Sequence, residues 1–145
     1  SSVRTRPRVL LDTNVFVFGL ERTKSNSAII LKEMSEGALE VVITERVFRE
    51  TIMYFRRNYS KKTVEKVRLF LAAGSTVIPQ SLIITELRRW KGEIKEKDLE
   101  NLAAVKALGI RHLVSLDRHY DAFPEHISPR QFVESIGLKP SETEY

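Results

Sequence analysis

The segment Arg8-Val9-Leu10-Leu11-Asp12 decides the fold, because it is a short apolar run that ends on a carboxylate. Such a run indicates a buried strand of a parallel sheet. A second run, residues 112–116, ends in the same way on Asp117. Ligands of open α/β sheets bind outside the carboxyl ends of the strands, so Asp12 and Asp117 can meet there if the two strands are neighbours. Because carboxylates repel each other, the pattern predicts a divalent cation at the rim of the sheet.

The length and composition are those of a single domain. The chain has 145 residues and no cysteine. We expect one domain over residues 1–145, with a basic N-terminal arm at 1–6 and a disordered polar tail at 139–145. Without thiolates, a metal site must use oxygen or imidazole ligands, which favours Mg²⁺ or Mn²⁺ over zinc. The apolar runs are too short to span a membrane and no signal segment is evident, so we expect a cytoplasmic protein without membrane contact.

Predicted strands and helices alternate along the chain. The strands are expected at 8–11, 40–43, 76–78 and 112–116, with a brief fifth at Ile127. A short helix or loop follows Asn14, and longer helices are expected near 27–36, 45–57, 61–73, 81–90, 98–108 and 129–136. Strands joined by helical crossovers form a parallel sheet with helices on both faces. The predicted fold class is therefore α/β, a three-layer α/β/α domain around a central parallel sheet.

The positive charge is concentrated in one segment. Formal net charge is +5, and residues 56–68 hold six cations against the single acid Glu65, so the rest of the chain sums to zero. A local basic patch of this kind fits a phosphate backbone. The candidate contacts to nucleic acid are Arg56, Arg57, Lys61 and Lys62. The same side chains could form only the solvated face of two helices, so the charge leaves both interpretations open.

Each candidate acid has a structural alternative. Asp12 could cap the helix that follows, although the polar side chain of Asn14 nearby favours a site. Asp98 opens an apolar helix, where a carboxylate is favoured by capping and by the helix dipole. Glu50 lies on the border of an apolar helix face, where it could overlook the rim or simply pair with Arg46 at i−4. Taken residue by residue, the structural interpretation is the simpler one for Asp98 and Glu50.

Asp117 has polar neighbours that could support a site. Strand periodicity places Ser115 on the same face as Asp117, where its hydroxyl could orient the carboxylate or a metal-bound water. His119 is the one histidine that follows a candidate acid closely, and a solvated imidazole is its simpler interpretation. Asp121 comes one turn later, and we interpret it as a surface residue.

The order of these pieces resembles the PIN-domain ribonuclease family, and the match covers nearly the whole chain from about Val9 to the last helix. It rests on four segments, Leu11-Asp12-Thr13-Asn14-Val15-Phe16, Ile43-Thr44 followed by Glu50, Lys97-Asp98 before an alanine-rich helix, and Leu113-Val114-Ser115-Leu116-Asp117. The resemblance implies one acidic pocket with two supporting polar residues; the acids are Asp12, Glu50, Asp98 and Asp117, supported by Asn14 and Ser115. Serine replaces the commoner threonine at position 115, which keeps the hydroxyl.

The resemblance also implies an activity. A member of this family would be an endoribonuclease that hydrolyses phosphodiester bonds of single-stranded or looped RNA with Mg²⁺ or Mn²⁺, leaving 5′-phosphate and 3′-hydroxyl ends. Asp12, Asp98 and Asp117 would be metal ligands, and Glu50 a second-metal ligand or the base for the attacking water. Such a protein could be a toxin with an antitoxin partner or an rRNA processing factor with a ribosomal partner, and it could form a homodimer.

Three other classes of protein share parts of this pattern. A haloacid dehalogenase phosphatase needs a second aspartate at position 14, where this chain has Asn14. A receiver domain needs a phosphorylatable aspartate after its third strand, where Ile78-Pro79-Gln80 offers none. A catalytically inactive RNA-binding or ribosome-assembly scaffold of the same fold stays open as the alternative, and it would lack an acidic metal site.

Overall fold

The computed structural model describes residues 6–142, so most of the predicted N-terminal arm, residues 1–5, lies outside the described part, as do residues 143–145. The described residues form five strands, seven α-helices and two short 3₁₀ helices. The strands are β1 (Arg8–Leu11), β2 (Glu40–Thr44), β3 (Ser75–Ile78), β4 (His112–Val114) and β5 (His126–Ile127). The α-helices are α1 (Thr13–Glu21), α2 (Asn26–Ser35), α3 (Glu45–Asn58), α4 (Lys61–Gly74), α5 (Ile84–Trp90), α6 (Glu96–Leu108) and α7 (Pro129–Ser135). The 3₁₀ helices are Gln80–Leu82 and Arg118–Tyr120.

The five strands form one parallel sheet in the order β3-β2-β1-β4-β5. The central strand β1 therefore lies between β2 and β4, with Leu11 opposite Val114. This pairing places the carboxyl ends of β1 and β4 side by side. The predicted three-layer α/β/α fold with a central parallel sheet is confirmed.

Each face of the sheet is covered by its own apolar core. Val9 and Leu11 point to one face, where they pack with buried residues of α1 to α4 and α7. Leu10 points to the opposite face and packs with α5 and α6. This alternation follows from the period of two along a strand, and burial on both faces explains why β1 is apolar throughout its last three residues.

Several boundaries have local causes in the sequence. Thr44 caps α3 by accepting a hydrogen bond from the Val47 amide, and Ser128 and Gln131 form a capping box at the start of α7, as predicted. Gly109 ends α6 in the left-handed conformation with φ of 63°. That region is open to glycine at little cost, so the helix stops there and the chain turns toward β4.

Three sequence expectations need correction. Of the short helix or loop expected from Asn14, the structure forms the helix α1, which starts one residue earlier at Thr13; the helix expected over 81–90 is divided into a 3₁₀ turn and α5, and β4 ends at Val114 rather than at Leu116. The strand ends early because side chains take its backbone donors. The amide of Leu116 donates to Asn14 Oδ1 at 3.1 Å, and the amide of Asp117 donates to Ser115 Oγ at 2.9 Å.

The described part of the C-terminal tail contacts the domain. The amide of Ser141 donates to Asn26 Oδ1 at 2.6 Å, and its hydroxyl donates to the carbonyl oxygen of Lys24 at 2.6 Å. Ser141 is thus held against the start of α2, although the sequence predicts disorder from residue 139 onward. Within residues 6–142, no helix is both long and apolar enough to cross a membrane.

Candidate acidic site at the carboxyl edge of the sheet

All four predicted acids line a single pocket at the carboxyl ends of β1 and β4. They reach it from four parts of the chain, since Asp12 follows β1, Glu50 lies on α3, Asp98 lies in the first turn of α6, and Asp117 follows β4. The remaining lining residues are Thr13, Asn14, Val17 and Lys97. The topology that places β4 beside β1 is what brings together residues that are far apart in the sequence.

Asp12 is one of the two buried acids of the pocket, with Asp98, and is 9% exposed. Its Oδ1 accepts hydrogen bonds from the amide of Thr13 at 2.7 Å and from Asn101 Nδ2 at 3.1 Å. Its Oδ2 accepts a hydrogen bond from Ser115 Oγ at 2.7 Å. Asp12 therefore caps α1 and also lies in the pocket, so its capping role does not remove it from the candidate site.

The surroundings of Asp12 make its ionisation costly. Burial raises the pKa of Asp12 from 3.8 to about 6, partly offset by the hydrogen bonds from Ser115 and Thr13, while the negative charges of Asp98 and Glu50 raise it further. A cation in the pocket would reverse this balance, because it would favour the charged carboxylate. Without a cation, the pocket therefore disfavours the charged form of Asp12.

Asp98 and Asp117 are joined by an imidazole. His119 Nδ1 lies 3.1 Å from Asp98 Oδ2 and 2.9 Å from Asp117 Oδ1. The side chain of Asp98 is 6% exposed and that of Asp117 is 22% exposed. The amide of His119 also donates to Asp117 Oδ1 at 2.9 Å, and Lys97 Nζ lies 3.8 Å from Asp117 Oδ2. His119 is consequently part of the acidic site and not the purely solvated residue that its sequence suggests.

Glu50 is the outermost of the four acids. It accepts a hydrogen bond from Thr13 Oγ1 at 3.0 Å, and its other oxygen lies 3.6 Å from Arg46 Nε. Its side chain is 43% exposed. The i−4 ion pair that the sequence suggests is present, and it does not remove Glu50 from the pocket.

Asn14 and Ser115, the two predicted supporting residues, contact Asp12 and each other. Asn14 Nδ2 lies 3.2 Å from Ser115 Oγ and 3.4 Å from Asp12 Oδ2. The Ser115 hydroxyl is fully buried, and it accepts from the Asp117 amide while donating to Asp12. Ser115 therefore orients the Asp12 carboxylate by donating to it and positions the backbone of Asp117 by accepting from its amide.

The structure adds two polar residues to the site, of which the sequence pointed only to Asn101, as a residue one helical turn after Asp98 whose amide could lie beside it. Asn101 donates to Asp12 and to Tyr120 Oη at 3.2 Å, and its Oδ1 accepts from the hydroxyl of Thr44 at 3.0 Å. Tyr120 Oη lies 3.3 Å from Asp98 Oδ1, and burial together with the charges of Asp12 and Asp98 raises the pKa of this phenol, which stays a neutral donor. The only sequence signal for Asn101 is its place one turn after Asp98, and Tyr120 carries none.

The predicted basic patch lies at the junction of α3 and α4. Arg56, Arg57, Lys61 and Lys62 are all exposed. Arg57 is seven residues after Glu50, which places both on one face of α3 at a separation of about 10 Å along the helix axis. Arg56 points about a third of a turn away from that face. A nucleic-acid strand that followed this face of α3 would pass from the basic patch to the acidic pocket.

The donor set of the pocket fits a hard divalent cation. In the described part of the chain, single ligand atoms of Asp98, Asp117 and His119 lie within 4.8 Å of one another. Carboxylate oxygens are the ligands that Mg²⁺ and Mn²⁺ prefer, and the chain has no thiolate to compete. Asp12 faces the same pocket with oxygens that already accept three short hydrogen bonds.

The comparisons with known proteins find relatives by structure and not by sequence. No protein-family model and no curated protein matches the chain. VapBC-1 from nontypeable Haemophilus influenzae superposes with a TM-score of 0.66 at 15% identity, over 84% of this chain and 98% of that chain. A toxin-antitoxin complex from Klebsiella pneumoniae gives 0.65 at 14% identity, over 83% and 97%. VapC20 from Mycobacterium tuberculosis, described as a sarcin-ricin loop cleaving toxin, gives 0.59 at 14% identity, over 79% and 93%.

At these identities the likeness shows the fold alone. These neighbours are PIN-domain proteins, and they match this chain over almost their full length. The PIN-domain resemblance that the sequence analysis draws is therefore confirmed at the level of the fold.

Proposed function

We propose that this chain is a divalent-metal-dependent endoribonuclease that hydrolyses single-stranded or looped RNA at the acidic pocket. One observation carries the proposal: the four acids Asp12, Glu50, Asp98 and Asp117 line one pocket although they come from four separate elements. Carboxylates brought this close together, two of them buried, repel each other, and a bound cation would remove that repulsion. The structural neighbour described as a sarcin-ricin loop cleaving toxin supports RNA as the substrate class.

Asp98 and Asp117 would hold the cation together with Asp12, directly or through water. A bound Mg²⁺ or Mn²⁺ would neutralise the acids, so that a phosphate could approach, and would lower the pKa of water. Lys97 lines the same pocket with an exposed side chain, and its ammonium group is placed to contact a phosphate oxygen beside Asp117. Ser115, Asn14 and Asn101 would hold the Asp12 carboxylate in one orientation through the hydrogen bonds described above.

Glu50 would act at the open side of the pocket. It is the acid with the most exposed side chain, and the Thr13 hydroxyl holds one of its oxygens. A carboxylate in this position can accept a proton from a water that attacks the phosphate, or it can hold a second cation. Arg57, on the same face of α3, would contact the RNA backbone beyond the scissile phosphate.

An antitoxin is the partner beyond RNA that the structural neighbours support. Structural neighbours include toxin-antitoxin complexes from two bacteria, which supports an antitoxin among the partners of this chain. A ribosomal partner, a homodimer and a cytoplasmic location stay predictions from the sequence.

The proposal is tested by digesting a panel of hairpin and unstructured RNAs with and without Mn²⁺. We expect cleavage by the wild type only with the metal, and a loss of at least about a hundredfold in Asp12→Asn and Asp117→Asn. Asp121→Asn is the matched control, because this exposed acid lies outside the pocket. Metal binding without any cleavage across the panel would contradict the proposal, and no metal binding at all would favour the scaffold alternative.

A further inference from the structure

His119 is placed where a cation shared by Asp98 and Asp117 would find a nitrogen ligand. Its Nδ1 lies 3.1 Å from an oxygen of Asp98 and 2.9 Å from an oxygen of Asp117. One ligand atom from each of the three residues falls within a 4.8 Å cluster, which is the spacing that a single ion requires. A cation held by both carboxylates therefore either binds this imidazole or must displace it.

The fold holds His119 in this position from both sides. On one side its amide donates to the Asp117 carboxylate at 2.9 Å. On the other side Tyr120 is 1% exposed and contacts Asn101 and Asp98 through its hydroxyl. Displacing the imidazole by a backbone shift would disturb these contacts, so we expect the backbone of His119 to stay in place when a metal binds.

We infer that His119 is a metal ligand, and that it gives the site a preference for Mn²⁺ and later transition metals over Mg²⁺. The inference rests on the proposed metal-dependent function of the pocket. Imidazole is a borderline donor that suits transition metals, whereas Mg²⁺ strongly prefers oxygen. A site with only carboxylates would lack this source of discrimination.

The environment of the other ring nitrogen is compatible with this role. Nδ1 can bind a metal when the ring proton is on Nε2, and Nε2 lies 3.2 Å from Lys95 Nζ. Lys95 is exposed, so its ammonium group can turn to solvent when Nε2 carries the proton. The side chain of His119 is 35% exposed, which leaves the Nε2 edge of the ring access to water.

The test uses the full chain loaded with Mn²⁺ and pulsed electron paramagnetic resonance, which detects a directly bound ¹⁴N nucleus. We expect a ¹⁴N coupling in the wild type that is absent in His119→Gln and retained in the control His112→Gln, whose imidazole packs on Phe132 away from the pocket. By calorimetry, His119→Gln should bind Mn²⁺ and Co²⁺ at least about tenfold more weakly and Mg²⁺ within about twofold.

The outcomes separate this inference from the proposed function. If the wild type binds Mn²⁺ without a ¹⁴N coupling, or if the coupling persists in His119→Gln, His119 is not a ligand, while the nuclease proposal stands. If the wild type binds Mg²⁺ but not Mn²⁺, the inference fails and the proposed function stands; if it binds neither ion, both fail. A wild-type spectrum that lacks the ¹⁴N coupling overturns the inference even if a variant proves unstable.

Discussion

Replacing the buried acid Asp12 by asparagine should stabilise the metal-free protein at neutral pH. Burial raises the pKa of Asp12 to about 6 from 3.8. Between these two values the folded protein retains a proton that the unfolded chain has released, so the free energy of unfolding falls as pH rises through this window. Above pH 6 the loss is complete. The difference between the two pKa values corresponds to roughly 3 kcal/mol.

Asparagine does not recover all of this energy. Its carbonyl oxygen can still accept from the Thr13 amide and from Asn101, as Asp12 Oδ1 does. Its amide nitrogen would replace Oδ2, so the Ser115 hydroxyl would have to accept where it now donates. The mismatch should cost about 1 kcal/mol. We therefore expect Asp12→Asn to be more stable than the wild type by about 2 kcal/mol at pH 7 in EDTA.

Urea unfolding of both proteins in EDTA from pH 4 to pH 7.5 measures this effect. Near pH 4 Asp12→Asn should be slightly less stable than the wild type, because the mismatch remains while the folded wild type keeps its proton, and its advantage should grow to full size above pH 6, because only the wild type titrates at this position. Glu36→Gln, which removes an exposed acid outside the pocket, should follow the wild type. A stability difference that is independent of pH, or an Asp12→Asn variant that is less stable at pH 7, would refute the reasoning.

Three further predictions concern packing, capping and RNA contact. Gly19→Ala should lower the free energy of unfolding in urea by about 1–3 kcal/mol, because a Cβ there would lie 2.7 Å from Leu31 Cδ1 and 2.9 Å from the backbone carbonyl carbon of Ser27, both in α2. An unchanged midpoint would show that α1 can move away from α2 without cost. Ser128→Ala removes the capping box of α7 and should lower the free energy of unfolding, measured by thermal unfolding, by about 1 kcal/mol. An unchanged melting temperature would show that the cap does not stabilise the fold. In gel shifts with EDTA, Arg57→Ala should reduce the salt dependence of RNA binding by about one ion and Arg56→Ala by less, whereas equal effects would contradict a path along α3.

The sequence predicted the architecture well because its signals are local. Each signal acts within a few residues: apolar runs mark the strands, the caps Thr44 and Ser128 mark where helices begin, and Gly109 marks where α6 ends. The pairing of β1 with β4 is not local, and the prediction that Asp12 and Asp117 meet depended on it. The observed strand order satisfies that condition.

The parts of the site that sequence reasoning missed depend on contacts between distant segments. Tyr120 reaches Asp98 and Asn101 only because the 3₁₀ turn after β4 packs against the start of α6. His119 lies between two acids for the same reason, although a surface histidine was the simpler interpretation. For Glu50 the local signal was right but incomplete. Its ion pair with Arg46 is present, and that pair gives no indication that Glu50 also lines the pocket.

The chemistry of the RNA ends tests the central claim most directly. We predict that the purified protein with Mn²⁺ leaves 5′-phosphate and 3′-hydroxyl ends, the products that the PIN-domain resemblance implies, with water attacking the phosphorus in line and the 3′-oxygen leaving. These ends should disappear in EDTA and in Asp12→Asn. Products with 2′,3′-cyclic phosphate ends, or cleavage that persists in EDTA and in Asp12→Asn, would contradict hydrolysis at this pocket.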